Sequence, residues 1–282
     1  MSSLRAFILL LFFSGFLSAQ AVFTDNDIKI CNSKFQIAVD KKLKDKPINE
    51  IVAEIGKSFI GLDYESGALD KLSDEKLTIN LQGLDCYTFI ENSLALARCI
   101  KNGKTEFEDY LKEIRNIRYR NGKIEDYASR LHYFTDWIFD CSERGIVKDV
   151  TKELSGIPYR KIINFMSAHT AAYKQLKDNM ELTAKIALLE KEISARKYYY
   201  IPKESITDVE AQIQNGDLIA ITTSIEGLDV SHLGIAVKKN DGKIYLMHAP
   251  APGKKIQISG QALADYLYAN KKQTGIIVVR PQ

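Results

Sequence analysis

The hydrophobic pattern changes period once, near residue 200, and that change narrows the fold more than any other feature. Up to Arg196, apolar residues recur every three or four positions, as in Ile51, Val52, Ile55, Phe59 and again Leu182, Ile186, Leu189, Ile193. This is helix spacing. It predicts helices over 48–59, 86–100, 106–118 and 127–144, and one or two more within 161–196. The last stretch carries Glu181/Lys185 and Glu192/Arg196 at i,i+4 on its other face, the mark of a solvated helix surface. From residue 206 alternation takes over, predicting strands at 216–222, 230–238, 243–249 and 276–280, with a short helix over 260–269. Residues 22–80 read as a capping segment, with a polar loop at 61–73 and a short strand at 77–81. Helices followed by an antiparallel sheet make an α+β chain.

The first residues point to export. Arg5 precedes an apolar run, and Ala19-Gln20-Ala21 has the small-x-small form of a signal-peptidase site. The run is short for a membrane span, which needs about 20 residues. The expected organisation is a signal peptide over 1–21 and one domain over 22–282, helical to about 205 and sheet beyond. The mature protein is expected to be periplasmic or secreted, with no membrane attachment once the signal is removed. A net charge of +3 gives no argument for nucleic acid or an anionic membrane as partner. Four cysteines in an exported chain suggest disulfides without fixing their pairing. A Cys86–Cys99 bridge is disfavoured. On one helix the two lie about 20 Å apart, and a bridge needs about 4.4–6.8 Å between Cα atoms.

Gly83-Leu84-Asp85-Cys86 opens the most informative stretch. Asp85 is a good N-cap residue, which sets Cys86 in the first turn of a helix. Unpaired amides and the helix dipole there favour a thiolate. Cys99 and Cys141 lie on apolar helix faces and read as core or bridge. A thiol nucleophile needs a base, and the base needs an orienting partner. The chain has four histidines: His132, His169, His232 and His248. His232 shares one strand face with Gly234 and Ala236, leaving room for another element beside its ring.

His248 is governed by the turn before it. If Asn240-Asp241-Gly242 form a three-residue loop, His248 stands opposite Gly234 and on the face of His232. The two are then diagonal neighbours, about 7–8 Å apart. If only Asp241-Gly242 form the loop, His248 faces away. A Cys-His-His triad therefore demands the longer loop.

Four motifs follow in order: Gly83-Leu84-Asp85-Cys86, Gly216-Asp217-Leu218-Ile219, Ser231-His232-Leu233-Gly234-Ile235-Ala236 and Leu246-Met247-His248-Ala249. In this order they resemble the NlpC-type papain-like cell-wall peptidases, and more closely their N-acetylmuramoyl-L-alanine amidase-like branch. The resembling segments are 84–98, 129–137, 163–176 and 201–249. The resemblance implies a papain-like core, with Cys86 as nucleophile, His232 as general base and His248 holding its ring. The Cys86 amide would contribute to the oxyanion hole. Tyr87-Thr88 stand where the related endopeptidases carry Ser-Gly, which favours the amidase branch. The implied reaction is hydrolysis of the amide between N-acetylmuramic acid and L-alanine, in peptidoglycan or its fragments, without metal or organic cofactor.

Asp85, Tyr87 and Arg130 are the candidate substrate-binding residues, Arg130 as a clamp for a stem-peptide carboxylate. The residues 165–169 are a further candidate groove wall, with ordinary helix packing as the simpler reading. Two readings compete with the amidase: a γ-D-glutamyl–diamino acid endopeptidase using the same triad, and a non-catalytic wall-binding module. A zinc hydrolase is weaker, because neither His-Glu-x-x-His nor paired Cys-x-x-Cys spacing occurs. Oligomeric state is not legible.

Overall fold

The computed structural model describes residues 21–282. All of the expected signal peptide except Ala21 lies outside them. In chain order the strands and helices are β1 (Ala21–Val22), α1 (Asp25–Asp40), α2 (Ile48–Lys57), β2 (Leu77–Thr78), α3 (Cys86–Lys101), α4 (Phe107–Arg118), α5 (Phe134–Glu143), β3 (Val147–Asp149) and β4 (Ile157–Tyr159). Then follow α6 (Phe165–Ala168), α7 (Met180–Ala195), β5 (Tyr198–Pro202), α8 (Ile206–Val209), β6 (Leu218–Thr223), β7 (Val230–Lys238), β8 (Ile244–His248), β9 (Gln257–Ala262), α9 (Leu263–Tyr268) and β10 (Gln273–Pro281). No helix among the described residues is long and apolar enough to cross a membrane.

The sheet runs β4-β5-β10-β6-β7-β8-β9 and is antiparallel, with β3 also paired to β10. The α+β expectation holds at this level. Strands alternate their side chains, so the central strands feed two cores. Leu233, Ile235, Val237, Leu218 and Ala220 join the helical core built on α2 and α3. Ala236, Ile219, Ile221, Ile244 and Leu246 join a second core under α8 and α9.

α3 is the central helix, with twelve of its sixteen residues buried. Two of its buried polar residues, Glu91 and Asn92, are paired inside. Glu91 meets Arg118 at 2.8 Å, and Asn92 donates to the Thr88 carbonyl and accepts from the Tyr110 hydroxyl. Burying such a pair is tolerable only when both partners are satisfied.

Three expectations change. The helix expected over 127–144 is broken: a 3-10 turn at Tyr127–Ser129 is followed by extended backbone at Arg130, and α5 begins at Phe134. Asp126 caps the turn, and Arg130 forms a bridge with Tyr119 that pulls the chain out of the helix. The capping segment contains a full helix, α1, whose Ile28, Cys31, Phe35 and Ala38 recur at helical spacing. Lastly β3, β4 and β5 all precede residue 206 yet belong to the sheet, so helix and sheet do not divide cleanly near 205.

Candidate active site

Asp85 is the N-cap of α3. Its carboxylate accepts from the Thr88 amide at 2.7 Å, while the Thr88 hydroxyl accepts from the Asp85 amide at 3.0 Å. This capping box holds Cys86 as the first helical residue. Asp85 therefore spends its Oδ1 on the helix start, and its charge raises the thiol pKa.

The β-sheet brings the second part of the site. Ala236 exchanges backbone bonds with Gly216 and Asp217 on the β6 side of β7. Alternate residues turn their peptide groups to opposite sides, so the Leu233 amide faces β8. The β7–β8 ladder stops at the Ile235–Met247 pair, and β8 ends at His248. On its β8 side Leu233 has no strand partner beyond that point, and its amide is left to favour the Cys86 thiolate. The thiol thus lies beside the residue that follows His232.

The turn between β7 and β8 has three residues. Lys239 and Lys243 close it, Gly242 donates to the Lys239 carbonyl, and Gly242 is left-handed at φ +79°. Ile235 pairs Met247 and Ala236 pairs Leu246, the register that sets His248 on the His232 face. The rings meet edge to face, with His232 Nε2 2.7 Å from His248 Nδ1. His232 is left with Nδ1 as its free nitrogen.

The protonation balance differs from the sequence expectation. Burial, followed by the Asp85 charge, pushes the Cys86 thiol up to about 12, against the Leu233, Cys86 and Tyr87 amides that favour the thiolate. Burial and the neighbouring His248 hold His232 down at about 3, and burial alone holds His248 at about 4. The helix start stabilises negative charge, but desolvation outweighs it here. At rest the Cys86 thiol and the His232 and His248 imidazoles are all neutral.

Two tyrosines that sequence reasoning does not single out complete the site. Tyr64 is pushed up to about 12 by burial and by the charges of Cys86 and Asp85, so its phenol stays protonated. Tyr266 stands edge-on to His248 at 5.3 Å and also feels Cys86.

The other candidates have different company. The Tyr87 hydroxyl donates to the Leu131 carbonyl at 2.6 Å, and its ring packs edge-on against Phe134. Arg130 is buried, lies over Tyr127 at 5.0 Å, and pairs with Asp70 and Glu75. A cavity of about 200 Å³ runs past Asp85, Tyr87, Glu91, Arg130 and His132. Arg130 lines it, paired with Asp70 and Glu75 and with its Nε lacking a hydrogen-bond partner. His132 bonds the Tyr127 carbonyl and His169 the Phe165 carbonyl, and neither joins His232. All four cysteines are free thiols. Among the described residues no three His, Cys, Asp or Glu side chains gather as metal ligands.

A family model described as AmiA-like, N-acetylmuramoyl-L-alanine amidase-like, matches residues 54–276. An N-acetylmuramoyl-L-alanine amidase from Bacteroides uniformis is 36% identical, covering 83% of this chain and 99% of its own, with a TM-score of 0.79. A Bacteroides fragilis protein provisionally called a xylanase is 39% identical over 80% of this chain and 98% of its own, with a TM-score of 0.76. A Legionella pneumophila protein at 22% identity covers 92% of this chain and 97% of its own with a TM-score of 0.69, and shares the fold. No curated protein matches the sequence. By the span of the family match, the chain belongs to the N-acetylmuramoyl-L-alanine amidase-like family.

Proposed function

We propose that the protein is an exported cysteine amidase of NlpC type, with a papain-like core, that hydrolyses the bond between N-acetylmuramic acid and L-alanine in peptidoglycan or its fragments. The observation that carries this reading is the bond of 2.7 Å between the His232 and His248 imidazoles on β7 and β8, with Cys86 as the first residue of the helix α3 that packs on β7.

The tautomers follow from the reaction. His232 must accept the thiol proton on Nδ1, so its Nε2 carries hydrogen and donates to His248 Nδ1. His248 then holds its own proton on Nε2, which is buried without a partner. In the opposite tautomer His232 Nδ1 is already protonated and accepts nothing. As Sγ attacks the lactyl carbonyl carbon, the thiol proton moves to His232 Nδ1 and the carbonyl electrons pass to oxygen. The Cys86 amide at the start of α3, with the protonated Tyr64 hydroxyl as a second donor, steadies that oxyanion. His232 gives its proton to the departing alanine nitrogen and the C–N bond breaks. Water then loses a proton to His232 and attacks the thioester, releasing the lactyl acid and restoring the thiol.

A glycosidase such as a xylanase commonly needs a free pair of carboxyl groups. The carboxylates beside Cys86 are committed, Asp85 to the helix cap and Glu91 to Arg118. The amide reading is tested by mass spectrometry of soluble muropeptides incubated with the protein and with Cys86→Ala. Free stem peptide plus sugar is expected, reduced at least about a thousandfold in the variant. Cleavage inside the stem would transfer the assignment to the endopeptidase.

A further inference from the structure

A second cavity, of about 610 Å³, is separate from the one that runs past Asp85 and Tyr87. It borders the segment that leads into β7. Thr135 and Tyr159, both in its wall, fasten that segment. Thr135 donates through its amide and hydroxyl to the Asp229 carboxylate at 2.8 and 3.0 Å, and the Tyr159 hydroxyl donates to the Asp229 carbonyl at 2.6 Å. Asp229 precedes His232 by three residues, about 10 Å of strand.

The two cavities differ in charge. The one past Asp85 and Tyr87 is lined by Asp70, Asp85 and Glu91, with Glu91 matched by Arg118 and the single lining cation Arg130 matched by Asp70 and Glu75. The larger one is lined by Arg160, Lys161, Arg196 and Lys197, and among the described residues no Asp or Glu side chain lines it. Arg196 shares Asp136 with Arg120, each at 2.6 Å. Lys161 donates to the Thr223 carbonyl. Arg160 and Lys197 are exposed and make no ion pair among the described residues. An anionic ligand is therefore repelled from the first cavity and drawn to the second.

We propose that this cationic cleft takes the carboxylates of the stem peptide, the leaving side of the amide, while the uncharged sugar side lies toward the acidic cavity. The proposal rests on the amidase reading, because that reaction puts an acidic peptide on the amine side of the scissile bond. A γ-linked glutamyl residue keeps a free α-carboxylate, and the residues after it add more. Consecutive Cα atoms are about 3.8 Å apart, so the second and third residues reach about 10 Å from the reacting carbon.

The test compares two substrates: N-acetylmuramoyl-L-alanine amide, which carries no carboxylate, and the sugar with a tripeptide stem. The protein is expected to favour the tripeptide at least about tenfold in kcat/KM, an advantage that shrinks at about 0.5 M salt. Arg160→Ser with Lys197→Ser is expected to bring the ratio close to one through KM, and Arg160→Lys with Lys197→Arg to restore it. An unchanged ratio in the folded double variant overturns the proposal. Cleavage of neither substrate instead defeats the amidase reading. Calorimetry of the free tripeptide then decides the cleft alone: binding lost in the Ser variant supports it, and equal binding overturns it.

Discussion

At the residue scale the decisive quantity is the proton on Cys86. An isolated helix N-terminus would lower a thiol pKa, and the sequence pattern promised that much. Burial and the Asp85 charge reverse the sign and leave the thiol at about 12, beside a His232 near 3. Proton transfer then accompanies attack rather than preceding it. Alkylation of Cys86 by iodoacetamide should climb steadily from pH 7 past pH 9, because the thiolate is populated only as pH approaches the raised value. A plateau between pH 5 and 8 would instead signal a standing thiolate–imidazolium pair. Asp85→Asn keeps the cap, since Asn and Asp cap about equally well, yet removes the charge. It should speed alkylation at pH 8 severalfold. Cys86, His232 and His248 were legible because few thiols and imidazoles compete for the roles. Tyr64 and Tyr266 were not, because the chain has 14 tyrosines and only the folded backbone brings these two to the thiol.

At the element scale the site depends on register. From Asn-Asp-Gly between two lysines both a two-residue and a three-residue turn were open, and the three-residue form that the fold adopts carries His248 to the face of His232. The broken helix near Arg130 was not readable. Apolar spacing runs through 127–137 without interruption, and the break comes from a bridge to Tyr119, ten or so positions earlier. Two glycines separate backbone strain from steric contact. Gly242 has φ +79°, and nothing lies within 4 Å of an added Cβ, so Gly242→Ala should cost only about 1–2 kcal/mol. Gly216 has φ +85°, and an added Cβ would lie 1.8 Å from the Asn49 carbonyl oxygen at the start of α2. Gly216→Ala must move backbone on α2 or β6, with a loss well beyond that of Gly242→Ala. Urea melts of the two variants check the order, and equal losses would refute the contact argument.

At the scale of the whole molecule, three of the four histidines are held neutral. His132 sits at about 3, through burial and then Arg130, alongside His232 at about 3 and His248 at about 4. In the unfolded chain each titrates near 6.5. Between these values the unfolded state binds protons that the folded state refuses, so stability is full above about pH 6.5 and falls as pH drops toward 4. Buried acids work the other way. Burial raises Glu75, Glu91, Asp149 and Asp229, so the folded state binds protons there that the unfolded chain releases. A single acid melt therefore mixes opposing slopes, and the informative quantity is a difference. His132 is the histidine to change, since it bonds only the Tyr127 carbonyl and lies outside the Cys86–His232–His248 cluster. His132→Gln carries no titrating group, so its loss of stability between pH 7 and 5 should be shallower than wild type by up to about one proton in slope. Parallel curves for the two proteins would mean that His132 charges freely in the fold and that its burial against Tyr127 does not oppose protonation.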